Sequence, residues 1–115
     1  MKKYTVKYSP VALKDLDQIW LEVWSASASL EATEQYIKDL RGVIREKSHF
    51  PFSGAPLTYM GEPTGIFYVT FKSYIAFYRV TVDAIEVGRI LFARSDYMKT
   101  LFGKSEFVPE DTEDD

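Results

Sequence analysis

The stretch from Gly65 to Gly103 constrains the fold most, because it reads as three adjacent β-strands followed by a short helix. Its apolar runs are rich in aromatic and β-branched residues and are separated by short polar turns, a pattern typical of antiparallel hairpins. Arg79 and Arg94 lie inside these apolar runs. A guanidinium there costs free energy unless it reaches water, a carboxylate or an anionic ligand. Both arginines are therefore candidate binding residues.

Two amphipathic helices are predicted before this stretch. Ser9 and Pro10 form a helix start, with Ser9 as N-cap and Pro10 as the first helical residue. We expect the turn between the helices at Ser25–Ser29 (SASAS), and Ser29 can cap the second helix. Pro51 is expected to end the second helix. Apolar residues recur at helical spacing in both segments, so each helix should bury one face.

The remaining elements are short. Strands are expected at Tyr4–Tyr8 and near Leu57–Met60. A final helix is expected over Asp96–Phe102, capped by Ser95 and ended by Gly103. The sequence thus predicts an α+β fold with the order β-α-α-β-β-β(-α), in which a helical hairpin packs on one face of a small, mainly antiparallel sheet.

The long strands can be aligned through their turns. Two-residue turns at Lys72-Ser73 and Asp83-Ala84 would place Arg79 opposite Ile66 in one hairpin and opposite Gly88 in the other. Gly88 would then leave room beside Arg79 for a ligand. A slip of one residue in either turn would break this alignment. The face that carries Arg79 and Arg94 would also hold Tyr68, Thr70, Ile75, Phe77, Ile90 and Phe92.

The opposite face of the predicted sheet is more continuously apolar, so we expect the helical hairpin to pack against it. Its members would be Phe67, Val69, Phe71, Ala76, Tyr78, Val80, Val87 and Leu91. Large exposed apolar patches usually mark a partner site. We therefore expect a protein partner to cover exposed positions of the helical hairpin and the apolar residues of the arginine-bearing face, which are Ile66, Ile75, Phe77, Ile90 and Phe92.

Charge is distributed unevenly along the chain. The formal net charge is -3, from 14 basic and 17 acidic residues. Residues 106–115 hold six acidic and no basic residues, so residues 1–105 carry 14 basic against 11 acidic residues, or +3. We interpret residues 1–103 as one mildly basic domain and residues 104–115 as an acidic tail whose composition predicts disorder.

The chemistry that the sequence offers is limited. Because the chain has no cysteine, disulfides and thiolate chemistry are excluded. With no apparent signal or membrane-spanning segment, we expect a cytoplasmic protein without membrane association, metal or cofactor.

His49 is interpreted as a structural or surface residue. Arg79, Arg94 and Tyr97 remain, since two guanidiniums can hold a phosphate and a tyrosine can stack on a base or move a proton. Equally, Arg79 could pair with Glu86 or with a terminal carboxylate, and Tyr97 could pack a helix.

Four segments together resemble the RelE/ParE superfamily of bacterial type II toxins. They are KYSPVALKDLDQIW, ATEQYIKDLRGVIREKSHFPFSGAPL, YIAFYRV and ILFARSDYMKTLF, in this order, so the resemblance covers residues 3 to 103. It implies a small cytoplasmic toxin that a cognate antitoxin wraps and silences. Assembly with the antitoxin into a dimer or heterotetramer is compatible with it.

The superfamily implies two different activities. RelE-like members cut mRNA in the ribosome, and Arg79, Arg94 and Tyr97 match the arginines and the C-terminal tyrosine or histidine of their site. ParE-like members poison DNA gyrase and are not known as enzymes. The modest positive charge of the body, the long second helix and the loop FPFSGAPL favour the ParE-like activity. A RelE-like ribonuclease remains the alternative, and a non-toxic interaction module of the same fold is a third interpretation.

Overall fold

The computed structural model describes residues 3–103. The expected acidic tail, residues 104–115, lies outside the described residues. The described elements are β1 (Thr5–Tyr8), α1 (Pro10–Ser27), α2 (Leu30–Glu46), a 3-10 turn (Pro51–Ser53), β2 (Ala55–Tyr59), β3 (Glu62–Phe71), β4 (Tyr74–Val80), β5 (Ala84–Phe92) and α3 (Tyr97–Phe102). The predicted α+β fold is confirmed, with the short strand β2 preceding the three long ones.

The helix starts follow the sequence signals closely. Ser9 accepts a hydrogen bond from the N–H of Ala12 and Pro10 is the first residue of α1. Ser29 caps α2 in the same way, through the N–H of Ala32. The cap of α3 is Asp96 rather than Ser95. This prediction was wrong because the Ser95 hydroxyl instead donates to the carbonyl of Phe92 at 2.6 Å and closes the turn after β5.

The helix ends differ from the sequence prediction. Within the segment expected to form the turn, α1 continues to Ser27 and stops where Ala28 takes a left-handed conformation with φ 52°. The second helix ends at Glu46, before the predicted stop at Pro51. It ends there because the buried Ser48 turns back and donates to the carbonyl of Arg45 at 2.6 Å.

The five strands form one sheet in the order β1-β5-β4-β3-β2. The outer strand β1 runs parallel to β5, and the other neighbours are antiparallel. The predicted alignment of Ile66 with Arg79 is confirmed. None of the helices among residues 3–103 is long and apolar enough to cross a membrane.

The predicted alignment of Arg79 with Gly88 was wrong. Arg79 lies opposite Glu86, because the tight turn is centred on Val82-Asp83, where the N–H of Thr81 donates to the carbonyl of Ala84 at 2.8 Å. The alignment then shifts by one residue at Gly88, since Tyr78 pairs with Val87 whereas Phe77 pairs with Arg89. Gly88 is thus the extra residue of a β-bulge.

The bulge exchanges the faces of the residues that follow it. Ile90 was predicted on the arginine-bearing face, but it lies in the core beneath the helices. Leu91 was predicted to face the helices, but it packs on the opposite side. The residues of the helix-facing core that are buried are Ala12, Leu16, Ile19, Leu40, Ile44, Tyr74, Ala76, Tyr78, Ile85, Val87 and Ile90.

Helix α3 covers the other face of the sheet. Buried residues there are Leu57, Ile66, Ile75 and Phe77. Tyr97, Met98, Leu101 and Phe102 of α3 pack against them. The sheet is therefore covered on both faces, by the helical hairpin on one and by α3 on part of the other.

The start of α1 is bonded to the Gly88 bulge. The N–H of Ser9 donates to the carbonyl of Val87 at 2.9 Å, and its hydroxyl donates to the carbonyl of Gly88 at 2.8 Å. One turn and a half further along α1, Asp15 accepts the N–H of Ile90 at 2.9 Å and forms an ion pair with Arg89 at 2.9 Å. These contacts bond the free edge of β5 to α1.

Replacing Asp15 with alanine should destabilise the fold. The change leaves the N–H of Ile90 and the guanidinium of Arg89 without their acceptor. Because hydrogen bonds to charged groups are worth about 1.5–3 kcal/mol, we expect the free energy of unfolding to fall by about 2 kcal/mol in urea denaturation. Asp17→Ala, at an exposed position of the same helix, is the control and should change stability little. Equal effects of the two substitutions would contradict this account.

The loop between α2 and β2 is closed by Tyr78. Its hydroxyl donates to the carbonyl of Pro51 at 2.7 Å, and its side chain is fully buried. Gly54 has an ordinary backbone conformation with φ -69°. A Cβ atom there, however, would lie 3.0 Å from the Tyr78 ring carbon that bears the hydroxyl and 3.1 Å from the carbonyl oxygen of Tyr68. Gly54 is thus required by packing alone.

Alanine at two glycines should have opposite effects on stability. Gly54→Ala forces Tyr78 from its position, and overpacking of this kind costs about 1–3 kcal/mol. Gly42→Ala lies inside α2 with open space around the new Cβ, so the gain in helix propensity should stabilise the protein by about 0.5–1 kcal/mol. Thermal unfolding of both variants tests the prediction, and a stabilised Gly54→Ala protein would show that the loop is not held as described.

Candidate functional site

A groove beside the bulge contains the first predicted site residue, Arg79. The groove has a volume of about 430 Å³, and we call it the Gly88 groove. A row of charged residues crosses it from strand to strand, since Lys7 of β1 lies opposite Glu86 of β5, which lies opposite Arg79 of β4. The other residues that line it are Tyr8, Ser9, Ile66, Phe77, Tyr78, Val87, Gly88, Arg89 and Leu101.

The guanidinium of Arg79 is exposed and is held by backbone. Its Nη1 donates to the carbonyl of Thr64 at 3.1 Å. Glu86 is its neighbour across the strands, but among residues 3–103 the two form no ion pair within 4.0 Å. A Cβ at Gly88 would meet nothing within 4 Å, so this position is open, although Gly88 does not lie opposite Arg79 as predicted. Arg79 therefore avoids the cost of burial by reaching solvent at the groove's edge.

Arg94 and Tyr97 lie together in a second depression of about 680 Å³. Arg94 is exposed in the turn after β5, and Tyr97 begins α3. The ring of Tyr97 packs on Phe77 with 5.4 Å between ring centres, so it takes part in the apolar cluster under α3. The other residues that line this depression are Pro56, Leu57, Thr58, Tyr68, Ala93, Ser95, Asp96 and Met98.

The three predicted site residues therefore do not line one cavity. Tyr97 of α3 lines the depression that holds Arg94, whereas Leu101 of the same helix lines the Gly88 groove with Arg79. In addition, residues 3–103 contain no group of three or more side chains that could hold a metal ion. His49 is exposed in the turn after α2.

The pKa values of two ionisable groups that line the groove are shifted, and the contacts of each group explain the direction of its shift. Donation of two hydrogen bonds to Asp15 raises the pKa of Arg89, so its positive charge is firmly held. Burial raises the pKa of Tyr8, although Arg41, stacked 4.9 Å from the ring centre, acts in the opposite direction. Neither residue is thereby prepared to act as a general base near neutral pH.

Two more tyrosines form hydrogen bonds on the helix-facing side of the sheet. Burial raises the pKa of Tyr74, and its hydrogen bond to Glu22 at 2.6 Å raises it further. Burial also raises the pKa of Tyr78. Both hydroxyls are hydrogen-bond donors within the fold, so their role is structural.

Sequence reasoning missed Lys7, Asp15 and Arg89. Arg89 lies inside an apolar strand run, as Arg79 does, so the same criterion would have identified it. Asp15 gave no local signal, because its partners lie more than 70 residues away in the sequence. Lys7 lies in the groove only because β1 pairs in parallel with β5.

The apolar surface expected to bind a partner differs from the sequence prediction. Ile66, Ile75 and Phe77 are already buried under α3, and Ile90 is buried under the helices. Phe92 remains exposed. The large apolar side chains that are exposed on the helical hairpin are Val11, Leu13, Leu21, Trp24 and Leu30.

A comparison with known protein families identifies a match over most of the chain. A family model described as the ParE toxin of the type II toxin–antitoxin system, parDE, matches residues 6–97, from within β1 to the first residue of α3. The chain belongs to the ParE toxin family. This confirms the resemblance to the RelE/ParE superfamily that the sequence motifs indicated. None of the curated proteins compared matches the chain at a significant level.

Solved structures of toxin–antitoxin proteins share the fold of this ParE family member. A chain of the chromosomal ParDE system from P. aeruginosa is 19% identical with a TM-score of 0.65, covering 80% of this chain and 98% of its own. A chain of the RelBE2 complex from Mycobacterium tuberculosis is 21% identical with a TM-score of 0.52, covering 80% and 93%. A chain of the RelB-RelE complex from Methanococcus jannaschii is 14% identical with a TM-score of 0.50, covering 84% and 98%.

Proposed function

We propose that this protein is a toxin that inhibits DNA gyrase and is silenced by a cognate antitoxin. The observation that carries the proposal is the match of the ParE toxin model to residues 6–97, which include both helices of the hairpin and all of the sheet except the first residue of β1. The likeness to the ParDE chain from P. aeruginosa supports the same fold. The assignment of gyrase as the target rests on the sequence features that favour the ParE-like activity, which are the modest positive charge of the body, the long second helix and the loop FPFSGAPL.

The site geometry favours a protein target over an RNA substrate. Cleavage of RNA requires groups that converge on one phosphate and on the hydroxyl that attacks it. Arg79 lies in the Gly88 groove, whereas Arg94 and Tyr97 lie in the second depression. A phosphate bound in either cavity would therefore be lined by one of these two predicted arginines and not by both. This separation supports inhibition through protein–protein contacts.

The exposed helical surface suits a protein partner. Leu13, Leu21 and Trp24 are exposed and recur at helical spacing along α1, and Trp20 stacks on Trp24 with 5.9 Å between ring centres. Large exposed apolar patches usually mark interaction sites. The related structures from P. aeruginosa, M. tuberculosis and M. jannaschii come from toxin–antitoxin systems. We infer that the antitoxin covers this stripe with an apolar segment of its own.

A RelE-like ribonuclease is the second candidate, and one observation favours it. Arg94 and Tyr97 share a depression with Asp96, so a cation, a phenol and a carboxylate are close together there. In that case Arg94 would stabilise phosphate charge, Tyr97 would stack on a base or move a proton, and Arg79 would bind a neighbouring phosphate. A non-toxic interaction module is the outcome if induced expression without antitoxin leaves growth unchanged.

Purified protein should block DNA supercoiling by gyrase and leave mRNA intact on translating ribosomes. Both reactions are run with the same preparation, with and without the cognate antitoxin, and the antitoxin should restore supercoiling. The unfolding transition of the preparation confirms that the toxin is folded. Ribosome-dependent cleavage of mRNA with unchanged supercoiling would overturn gyrase as the target in favour of the RelE-like activity.

Substitutions at the three predicted site residues separate the two activities. Arg79→Ala, Arg94→Ala and Tyr97→Phe should leave gyrase inhibition within about 2-fold, because exposed charges contribute little to folding and phenylalanine keeps the ring on Phe77. A ribonuclease should instead lose on the order of 10²-fold in cleavage rate for each arginine, as expected when a group that stabilises transition-state charge is removed. Loss of inhibition by all three variants in a folded state would contradict the proposal.

A further inference from the structure

The Gly88 groove combines an apolar floor with an excess of positive charge. Ile66, Phe77 and Leu101 supply the apolar surface. Lys7 and Arg79 flank Glu86 from the two neighbouring strands, and within residues 3–103 neither cation forms an ion pair within 4.0 Å. A ligand that presents apolar and acidic side chains together would match this surface.

The chain itself contains a segment of this composition next to the groove. Residues 104–115 read KSEFVPEDTEDD, in which Phe107 and Val108 precede five acidic residues and Glu106 adds a sixth. The segment begins directly after Gly103, and Leu101, two residues earlier, lines the groove. Twelve residues span at most about 40 Å when fully extended, so the segment is long enough to cross the groove from Leu101 to Lys7.

We propose that residues 104–115 bind in the Gly88 groove of their own chain, with Phe107 and Val108 on the apolar floor and the carboxylates on Lys7 and Arg79. A short tether gives an effective concentration in the millimolar range, so an intrinsic dissociation constant of about 1 mM is sufficient for half occupancy. The contact is electrostatic in part, so it weakens as the Debye length falls from about 10 Å at 0.1 M salt to about 3 Å at 1 M.

The second depression is a poorer match for the same segment. Arg94 is the cation among its lining residues, and Asp96 lines it too, so carboxylates would gain less there. A larger fraction of the surface of the Gly88 groove is apolar, and the groove carries more positive charge beside the end of α3. Bound in the groove, the segment covers Arg79 and neutralises the positive charges of Lys7 and Arg79. The inference concerns an intramolecular contact and does not depend on which cellular target is correct.

A spin label on the segment tests the contact in the full chain. Because the sequence has no cysteine, Thr112→Cys gives a single attachment point for a nitroxide. We expect the label to broaden the backbone amide resonances of Lys7 and Glu86 and to leave that of Lys38, on α2, sharp. Leu101 is not used as a reporter, because its amide is close to the segment by connectivity alone. Broadening should fall when salt is raised to 1 M.

Charge variants with matched controls distinguish a specific contact from general attraction. The pair Lys7→Gln and Arg79→Gln should reduce the association constant of the segment roughly 5-fold, as expected for the loss of two surface ion pairs. Lys14→Gln with Lys38→Gln removes the same charge from exposed helical positions and should leave the broadening unchanged. Amide spectra confirm that each variant is folded.

Three outcomes would overturn the proposal. Broadening at Lys7 and Glu86 no greater than at Lys38 would mean that the segment does not bind the groove. Broadening concentrated at Arg94 and Tyr97 would place the segment in the second depression. Equal loss of broadening in both charge variants would show general attraction without a site. A separate gyrase assay that fails would bear on the proposed function and not on this contact.

Discussion

The ion pair of Asp15 with Arg89, together with the adjacent Ile90 N–H, holds the arrangement of helices and sheet. The strand β1 pairs with β5 only as far as Val87, because the chain turns at Ser9 into α1. Beyond that point the edge of β5 would present unpaired backbone groups. Asp15 supplies the missing acceptor and is itself neutralised by Arg89. A single carboxylate thus bonds the free edge of the sheet to α1, which packs over it.

The bulge at Gly88 extends this constraint to the opposite face of the sheet. An extra residue reverses the alternation of side chains. Ile90 therefore turns into the helix-facing core, and Leu91 joins the cluster that α3 covers. The pairing of Arg79 with Glu86 lies between the bulge and the turn at Val82-Asp83, and that turn sets it. The faces on which Ile90 and Leu91 pack therefore depend on where this one residue is inserted.

Local features were predictable from the sequence and long-range ones were not. The caps at Ser9 and Ser29 and the alignment of Ile66 with Arg79 follow from signals within a few residues of each position. The Gly88 bulge was missed because its stabilising partners, Ser9 and Asp15, lie far away in the sequence. Their position inside apolar strand runs identified Arg79 and Arg94 as unusual residues, but the sequence did not predict that they line different depressions.

The two faces of the molecule offer different chemistry, and this difference bears on the proposed target. Helix α3 buries most of the apolar residues on its side of the sheet, and the groove beside it combines an apolar floor with the charged row of Lys7, Glu86 and Arg79. The helical hairpin instead exposes Leu13, Leu21 and Trp24 at helical spacing along α1. Apolar and aromatic surface is typical of protein partners, whereas RNA binding needs dense positive charge. A body with a net charge of +3 and an aromatic helical face is therefore better suited to bind proteins than to hold an RNA substrate.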